Sequence, residues 1–350
     1  MIADIFKSKN IERKTKIIAT IGPATSSEKV LKKMIEEGMD VARFNFSHGH
    51  KEEFAAWAKL IRKLAKKVGR QVDIIQDLQG PRIRIGKLAH EGRILESGHE
   101  VVLNFGKELH RNDIPINTDL NVPLKKGDQI LIDSGIIDMT VKKVEGERVI
   151  CKVVVGGGLH SGKGLNFPDT STDDTFTQKD IDDLEFGLSI NVDFIALSFV
   201  ESAKDIIALK EKIGDKAKII SKIERPQAIR NFSGILEESD AIMVARGDLG
   251  VEIPMEKLPF LQKRILRKCK TSGKPGIVAT DMMASMVTAP RPTRAEVLDV
   301  ANAVLDGAAA VMLSNETAVG HFPVQTLITM RKIVEETEHF KTDQELKSLL

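Results

Sequence analysis

Short apolar runs alternate along most of the chain with longer segments whose apolar positions recur at helical spacing. The runs fall at 16–21, 41–47, 72–77, 194–198, 219–222, 241–245, 276–279 and 310–314. Each is near-continuously apolar and bounded by turn residues, the signature of a strand covered on both faces. Between the first two, Val30, Leu31, Met34 and Ile35 share one helical stripe. Thr25-Ser26-Ser27-Glu28 reads as its capping box, and Gly38 stops it. Further helices are predicted over 52–68, 177–186, 202–213, 231–238, 255–272 and 293–305, with Pro323 at the first position of a last one. Eight strands, most followed by a helix, predict an α/β fold, a parallel (β/α)8 TIM barrel. A doubly wound open sheet shares the alternation but normally carries a glycine-rich fingerprint after its first strand, and Gly22-Pro23-Ala24-Thr25 is not one.

After the third run the period changes. Strand-like segments at 100–103, 128–132, 139–144 and 149–155, with Glu145-Gly146-Glu147 as a hairpin turn, come without a helix between them. This predicts a small β-barrel domain inserted after strand 3, placed as a lid over the barrel mouth. The expected layout is barrel 1–87, lid 88–162 and barrel 163–350.

Composition narrows the partners. Lysine and arginine number 52 against 50 aspartate and glutamate, a formal charge of +2, so no broad field favours nucleic acid or an anionic membrane. A hydrophobic fraction of 42% supplies a core, which excludes a disordered chain. Cys151 and Cys269 are too few for a disulfide framework. The first residues lack the apolar stretch of a secretory signal, and no run approaches the roughly 20 residues that span a bilayer. A cytoplasmic location is expected.

In a barrel of this kind the reacting groups sit at the C-terminal ends of strands. Those ends supply Arg43, Asn45, Ser47 and His48, then Asp77, Ser198, Lys222 with Glu224, Arg246-Gly247-Asp248, Thr280, and Ser314 with Glu316. Topology would gather them into one ring of hard oxygen ligands (Glu224, Asp248) and cations (Arg43, Lys222, Arg84). That set suits a divalent metal and a phosphorylated, carboxylated substrate. Backbone N–H groups at a glycine-rich turn over 246–250 suit a carboxylate. The segment from Gly157 to Lys163 matches the start of a P-loop, but Gly164 replaces the required Ser or Thr and no helix follows. His48 and His50 find no later histidines to complete a transition-metal site, so His50 reads as the residue that opens a helix.

The strand-end motifs resemble those of pyruvate kinases. They are Met39 through Gly49 around Arg43-Phe44-Asn45-Phe46-Ser47-His48, Asp77 to Gly86, Lys163-Gly164-Leu165-Asn166-Phe167-Pro168, and Ser221-Lys222-Ile223-Glu224. Ile242 to Glu252, Pro290 to Glu296 and Met312 to Ala318 complete the series, in order, over about 15–338. The resemblance implies a barrel, an inserted lid and phosphoryl transfer between phosphoenolpyruvate and ADP in glycolysis. It implies that Glu224 and Asp248 hold Mg2+ or Mn2+, that Lys222 stabilises the transferring phosphoryl group and that Arg43 binds the phosphate of phosphoenolpyruvate. Gly247, Asp248 and Thr280 would bind the three-carbon acid, with Ser198 beside them and Thr280 near the carbon to be protonated. Asn45, Phe46, Ser47, His48, Arg84 and Lys163 would line the nucleotide site.

Departures refine that expectation. Most of the family has Asp-Thr-Lys-Gly-Pro-Glu and uses K+; here the segment is Asp77-Leu78-Gln79-Gly80-Pro81-Arg82. Leu78 offers no side-chain oxygen, and Arg82 puts a fixed cation where a carboxylate is usual. The pattern resembles the K+-independent branch, so K+ is expected not to be required, with Arg82 near Asp77 as its surrogate. Ser134, Asn315 and Arg225-Pro226 also differ from the usual residues. Leu350 follows closely on the eighth barrel helix, so the family's C-terminal regulatory domain, and control through it, is expected to be absent, with assembly as a homodimer through barrel helices. Two rivals stand beside this reading: a metal-dependent aldolase or lyase acting on pyruvate enolate, and a non-catalytic paralogue. The first leaves Arg84, Lys163 and the lid without a purpose. The second predicts loss of Lys222, Glu224, Asp248 or Thr280, all of which are present.

Overall fold

In the strand Lys16–Thr20 every side chain is buried, yet the side chains face two different cores. Ile18 points into the middle of a barrel, whereas Ile17 and Ala19 point outward beneath helices. That period of two, repeated around a ring, is what the uninterrupted apolar runs encode. A computed structural model describes residues 5–6, 13–88, 92–118, 121–171 and 176–342 of the chain.

The ring is built from β1 (Lys16–Thr20), β2 (Val41–Asn45) and β3 (Asp73–Asp77), then, after the insertion, β13 (Phe194–Leu197), β14 (Lys218–Ile223), β15 (Ala241–Ala245), β16 (Gly276–Ala279) and β17 (Ala310–Leu313). They close in the order β1-β17-β16-β15-β14-β13-β3-β2, all parallel. This is the eight-stranded barrel, and its eight strand candidates match the eight runs. Inside lie Ile18, Val41, Ile75, Phe194, Ile220, Met243, Ile277 and Met312, with the Phe6 ring tilted against Phe194 at 5.2 Å between ring centroids.

Outside run α1 (Glu28–Glu36), α2 (Lys51–Val68), α3 (Gln178–Ser189), α4 (Ala203–Ile213), α5 (Pro226–Arg230), α6 (Phe232–Glu238), α7 (Arg246–Glu252), α8 (Leu258–Thr271), α9 (Arg294–Leu305), α10 (Asn315–Ala318) and α11 (Pro323–Thr342). Two local expectations are corrected here. The N-cap of α1 is Ser27, whose hydroxyl accepts from Val30 N, whereas Thr25 is buried and closes a turn with Gly22. The 246–250 segment is the first part of α7 rather than an open turn, because Leu249 anchors it in the core. His50 occupies the N-cap position of α2 in a capping box with Glu53.

Between β3 and β13 the chain forms a second closed barrel with its own core. Its strands are β4 (Ile83–Ile85), β6 (Glu100–Asn104), β7 (Ile114–Asn117), β8 (Gln129–Ile132), β9 (Ile137–Glu145), β10 (Arg148–Val155) and β12 (Gly164–Asn166). β5 (Arg93–Leu95) and β11 (Gly157–Leu159) pair beside it. β4 and β12 pair antiparallel, so the chain enters and leaves this unit through one rung: Gly162 N donates to Ile85 O and Ile85 N to Lys163 O, both at 2.8 Å. Among the described residues no helix is long and apolar enough to cross a membrane.

Candidate active site

Inward-facing polar residues at the ends of β2, β3, β13 and β14 converge into one chain of charges. Arg43 Nε donates to Asp77 Oδ2 at 2.7 Å, and its Nη1 donates to Thr20 Oγ1 at 2.9 Å. Lys222 Nζ donates to Asp77 Oδ1 at 3.1 Å and to Ser198 Oγ at 2.7 Å, and it lies 2.8 Å from Glu224 Oε1. Ser198 Oγ in turn donates to Leu78 O at 2.7 Å. Asp77, Lys222 and Glu224 are all buried. Burying single charges is costly, and only this mutual pairing offsets the loss of water.

The same pairing sets the proton affinities. Burial alone would raise Asp77, but Lys222 and Arg43 hold its carboxyl below the usual range. Burial would lower Lys222, yet Asp77 and Glu224 keep it raised, so it stays an ammonium. Glu224 is raised, first by burial and then by the negative charge of Asp248, against the pull of Lys222.

Glu224 Oε2 accepts the backbone N–H of Phe199 at 2.7 Å, and Phe199 holds φ at 55° to aim it. Glu224 Oε1 faces Lys222 but accepts no well-angled hydrogen bond, leaving a lone pair unassigned on a buried carboxylate. Asp248, on the first turn of α7, is half-buried and accepts from Arg82 Nη2 at 2.6 Å. Among the described residues no group of three or more His, Cys, Asp or Glu side chains could cage a metal. Two carboxylates without further protein ligands are what Mg2+ takes, since it keeps waters and substrate oxygens in its other positions. The donor set fits a hard divalent cation.

Beside Asp248 opens a cleft of about 670 Å3, lined among others by Arg246, Gly247, Thr280, Glu316 and, from the second barrel, Ser134. Thr280 Oγ1 accepts from Gly247 N at 2.7 Å and donates to Ala279 O at 2.6 Å. Thr280 and Asp281 both hold positive φ, at 69° and 55°, a local strain kept by the packing around them. Arg246 is tied to Asp299 at 2.7 Å and to Thr280 O at 2.6 Å, so it braces this wall rather than facing the cleft as a free cation. Glu316 is likewise engaged, accepting from Met283 N and Ser314 N.

The remaining expected residues divide. Asn45 Oδ1 accepts from Ser47 N at 3.1 Å, and His48 is exposed beyond the end of β2. Crowding by the protein, then the charges of Arg84, Arg82 and Arg43, lower the His48 pKa. Arg84 donates to Gly162 O at 2.9 Å and Lys163 pairs with Asp133 at 2.9 Å, both at the base of the second barrel. The Phe46 side chain is buried and stacks on Phe54 at 4.4 Å, because alternation along β2 sends Arg43 and Asn45 inward and Phe44 and Phe46 under α2. Arg82, expected near Asp77, makes its ion pair with Asp248; Asp77 is buried and already engaged by Arg43 and Lys222.

Three contributors are not among the residues expected from the sequence. Thr20, at the end of β1, fixes Arg43 and was available to the same strand-end rule. Phe199 acts through its backbone, which no residue type announces. Arg225 is buried and reaches Glu201, Glu252, Phe167 O and Thr170 O, joining the end of β14 to the return segment of the second barrel.

The chain is similar to known proteins over most of its length. Residues 12–327 match the family model described as pyruvate kinase, barrel domain. A pyruvate kinase of Agrobacterium vitis is 48% identical over 334 residues, covering 94% of this chain and 70% of that protein. One from Thermococcus litoralis is 46% identical over 334 residues with the same coverage. The crystal structure of a pyruvate kinase from Cryptosporidium parvum superposes with a TM-score of 0.88 at 39% identity, covering 93% of this chain and 69% of that one.

Proposed function

The chain belongs to the pyruvate kinase family, and from that premise we propose how its barrel rim moves a phosphoryl group from phosphoenolpyruvate to ADP, giving pyruvate and ATP. The observation that carries the assignment of roles is the buried series Arg43–Asp77–Lys222–Glu224, in which two cations are desolvated and held rigid by two carboxylates. Phosphoryl transfer needs little covalent help from a protein; it needs positioning and fixed positive charge where negative charge spreads.

Arg43, anchored by Asp77 and Thr20, presents its remaining N–H groups to the phosphate of phosphoenolpyruvate. Lys222 offers an ammonium that costs no reorganisation, since Asp77, Ser198 and Glu224 already orient it. Glu224 and Asp248 would hold Mg2+ or Mn2+, which supplies Lewis-acid charge to the phosphoryl and enolate oxygens when bound. Gly247 and Thr280 shape the wall for the three-carbon acid, and the Thr280 hydroxyl, already in a donor–acceptor chain with Gly247 N and Ala279 O, is placed to hold a proton near the methylene carbon. Asn45, Ser47, His48, Arg84 and Lys163 flank the mouth for the nucleotide.

K+ independence belongs to the same proposal. Leu78 lacks a ligand oxygen, and Arg82 contributes a permanent charge at the rim beside Asp248. A coupled assay of ATP formation in buffer free of K+ and Na+, with saturating Mg2+, should show full turnover. Lys222→Met should lower it by about a thousandfold or more. Negligible turnover that K+ restores overturns the monovalent-ion reading; an unaffected Lys222→Met overturns the role of Lys222.

A further inference from the structure

Arg82 lies where the chain leaves β3 for the second barrel, and its guanidinium crosses back to the rim. Its Nη2 donates to Asp248 Oδ1 at 2.6 Å, with about a third of each side chain exposed (32% and 29%). The guanidinium carbon sits 5.8 Å from the centroid of the Phe199 ring. Phe199 in turn donates its backbone N–H to Glu224 Oε2. One cation therefore rests on one of the two carboxylates assigned to the metal, on an aromatic plate bonded to the other. Around the rim the charges then balance: Asp77, Glu224 and Asp248 against Arg43, Lys222 and Arg82.

We propose that Arg82 is a tethered competitor of the divalent cation: it holds Asp248 Oδ1 in the metal-free protein and yields that oxygen when the metal binds. The inference rests on the reading of Glu224 and Asp248 as metal ligands. An oxygen accepting a charge-assisted hydrogen bond this short cannot offer the same lone pair to a metal. A half-exposed pair is weakly held, so a doubly charged ion displaces the guanidinium, whereas the buried Lys222, fixed by three partners, stays. Phe199 provides a cation–π surface along which the displaced group can settle without returning fully to water. Metal affinity in the absence of substrate is thus set by exchange of one cation for another.

The test counts free Mn2+ by electron paramagnetic resonance during titration of the full chain without substrates, a readout independent of turnover. Arg82→Gln should bind Mn2+ about tenfold more tightly than the parent. Arg84→Gln, which removes a neighbouring charge without touching Asp248, should change affinity by no more than about twofold. Asp248→Asn should weaken binding, and if it binds as the parent does, the metal-ligand reading fails. If Asp248→Asn weakens binding while Arg82→Gln does not tighten it, the competition proposal is overturned and the ligand reading stands. Equal tightening by Arg82→Gln and Arg84→Gln overturns it too, since that reports only a general field.

Discussion

His48 is exposed beyond the end of β2, and crowding by the protein, with the charges of Arg84, Arg82 and Arg43, makes its imidazole titrate below the ordinary 6.5. A proton there meets a crowded, positively charged surrounding, so the ring stays neutral between its folded pKa and 6.5. The sign for stability follows. The unfolded chain takes up this proton more readily, so stability is intact above about pH 6.5 and declines as pH falls through the folded value. A polyphosphate bound beside those arginines reverses the field and should raise the pKa. Proton NMR of the His48 ring, titrated with and without inorganic pyrophosphate, checks both directions; a free-protein value above 6.5 would contradict the geometry. At this scale the sequence was legible wherever residue type decides chemistry. Arg43, Asp77, Lys222 and Glu224 are polar residues at apolar strand ends, and the barrel had to bring them together. Phe46 belongs to the same motif, but alternation along β2 turns its side chain outward. The left-handed backbone of Phe199 has no signal in its side chain, since a bulky residue is the least expected at φ 55°.

The junction of β14, α5 and the segment returning from the second barrel depends on Arg225. Its guanidinium pairs with Glu201 and Glu252 and donates to Phe167 O at 2.9 Å and Thr170 O at 2.6 Å, while Asn166 Nδ2 donates to Glu252 at 2.9 Å. Removing a cation from buried carboxylates leaves uncompensated charge, so Arg225→Met should cost roughly 3–5 kcal/mol. Urea denaturation measures it, and Arg225→Met combined with Glu252→Gln should recover part of the loss. A cost below about 1 kcal/mol would mean that water reaches these groups. The barrel strands were legible because burial on both faces writes a continuous apolar run. The second barrel was only partly so: β4, β7 and β12 have three or four residues each, too few for a period to show. α7 was missed because Gly247 and Gly250 argue for a turn, at roughly 1 kcal/mol each against a helix. Burial of Leu249, and the close fit of Gly250 against Leu258 and Met255, outweigh that preference.

The two barrels have separate apolar cores, and the chain enters and leaves the second through the antiparallel pair β4 and β12. An insertion joined this way need not be present for its host to close, because excising it between Ile85 and Lys163 leaves two residues already hydrogen-bonded to each other. Joining them with an Asn-Gly turn costs little chain entropy. Ile83, Ile85 and Leu165 lose their apolar neighbours in that variant, so they should be changed to Thr to avoid an exposed patch. The shortened chain should then melt cooperatively by circular dichroism, because all eight strands of the ring and their registers are untouched. It should also still bind Mn2+, since Glu224 and Asp248 lie on β14–α5 and α7. Phosphoryl transfer should fall by about a hundredfold or more, because Ser134 no longer lines the cleft, Lys163 loses its partner Asp133 and water is no longer excluded. A variant that folds and transfers at the parent rate would show that the second barrel is no lid. One that cannot fold would show that the barrel's stability depends on contacts through its rim rather than on its own closure.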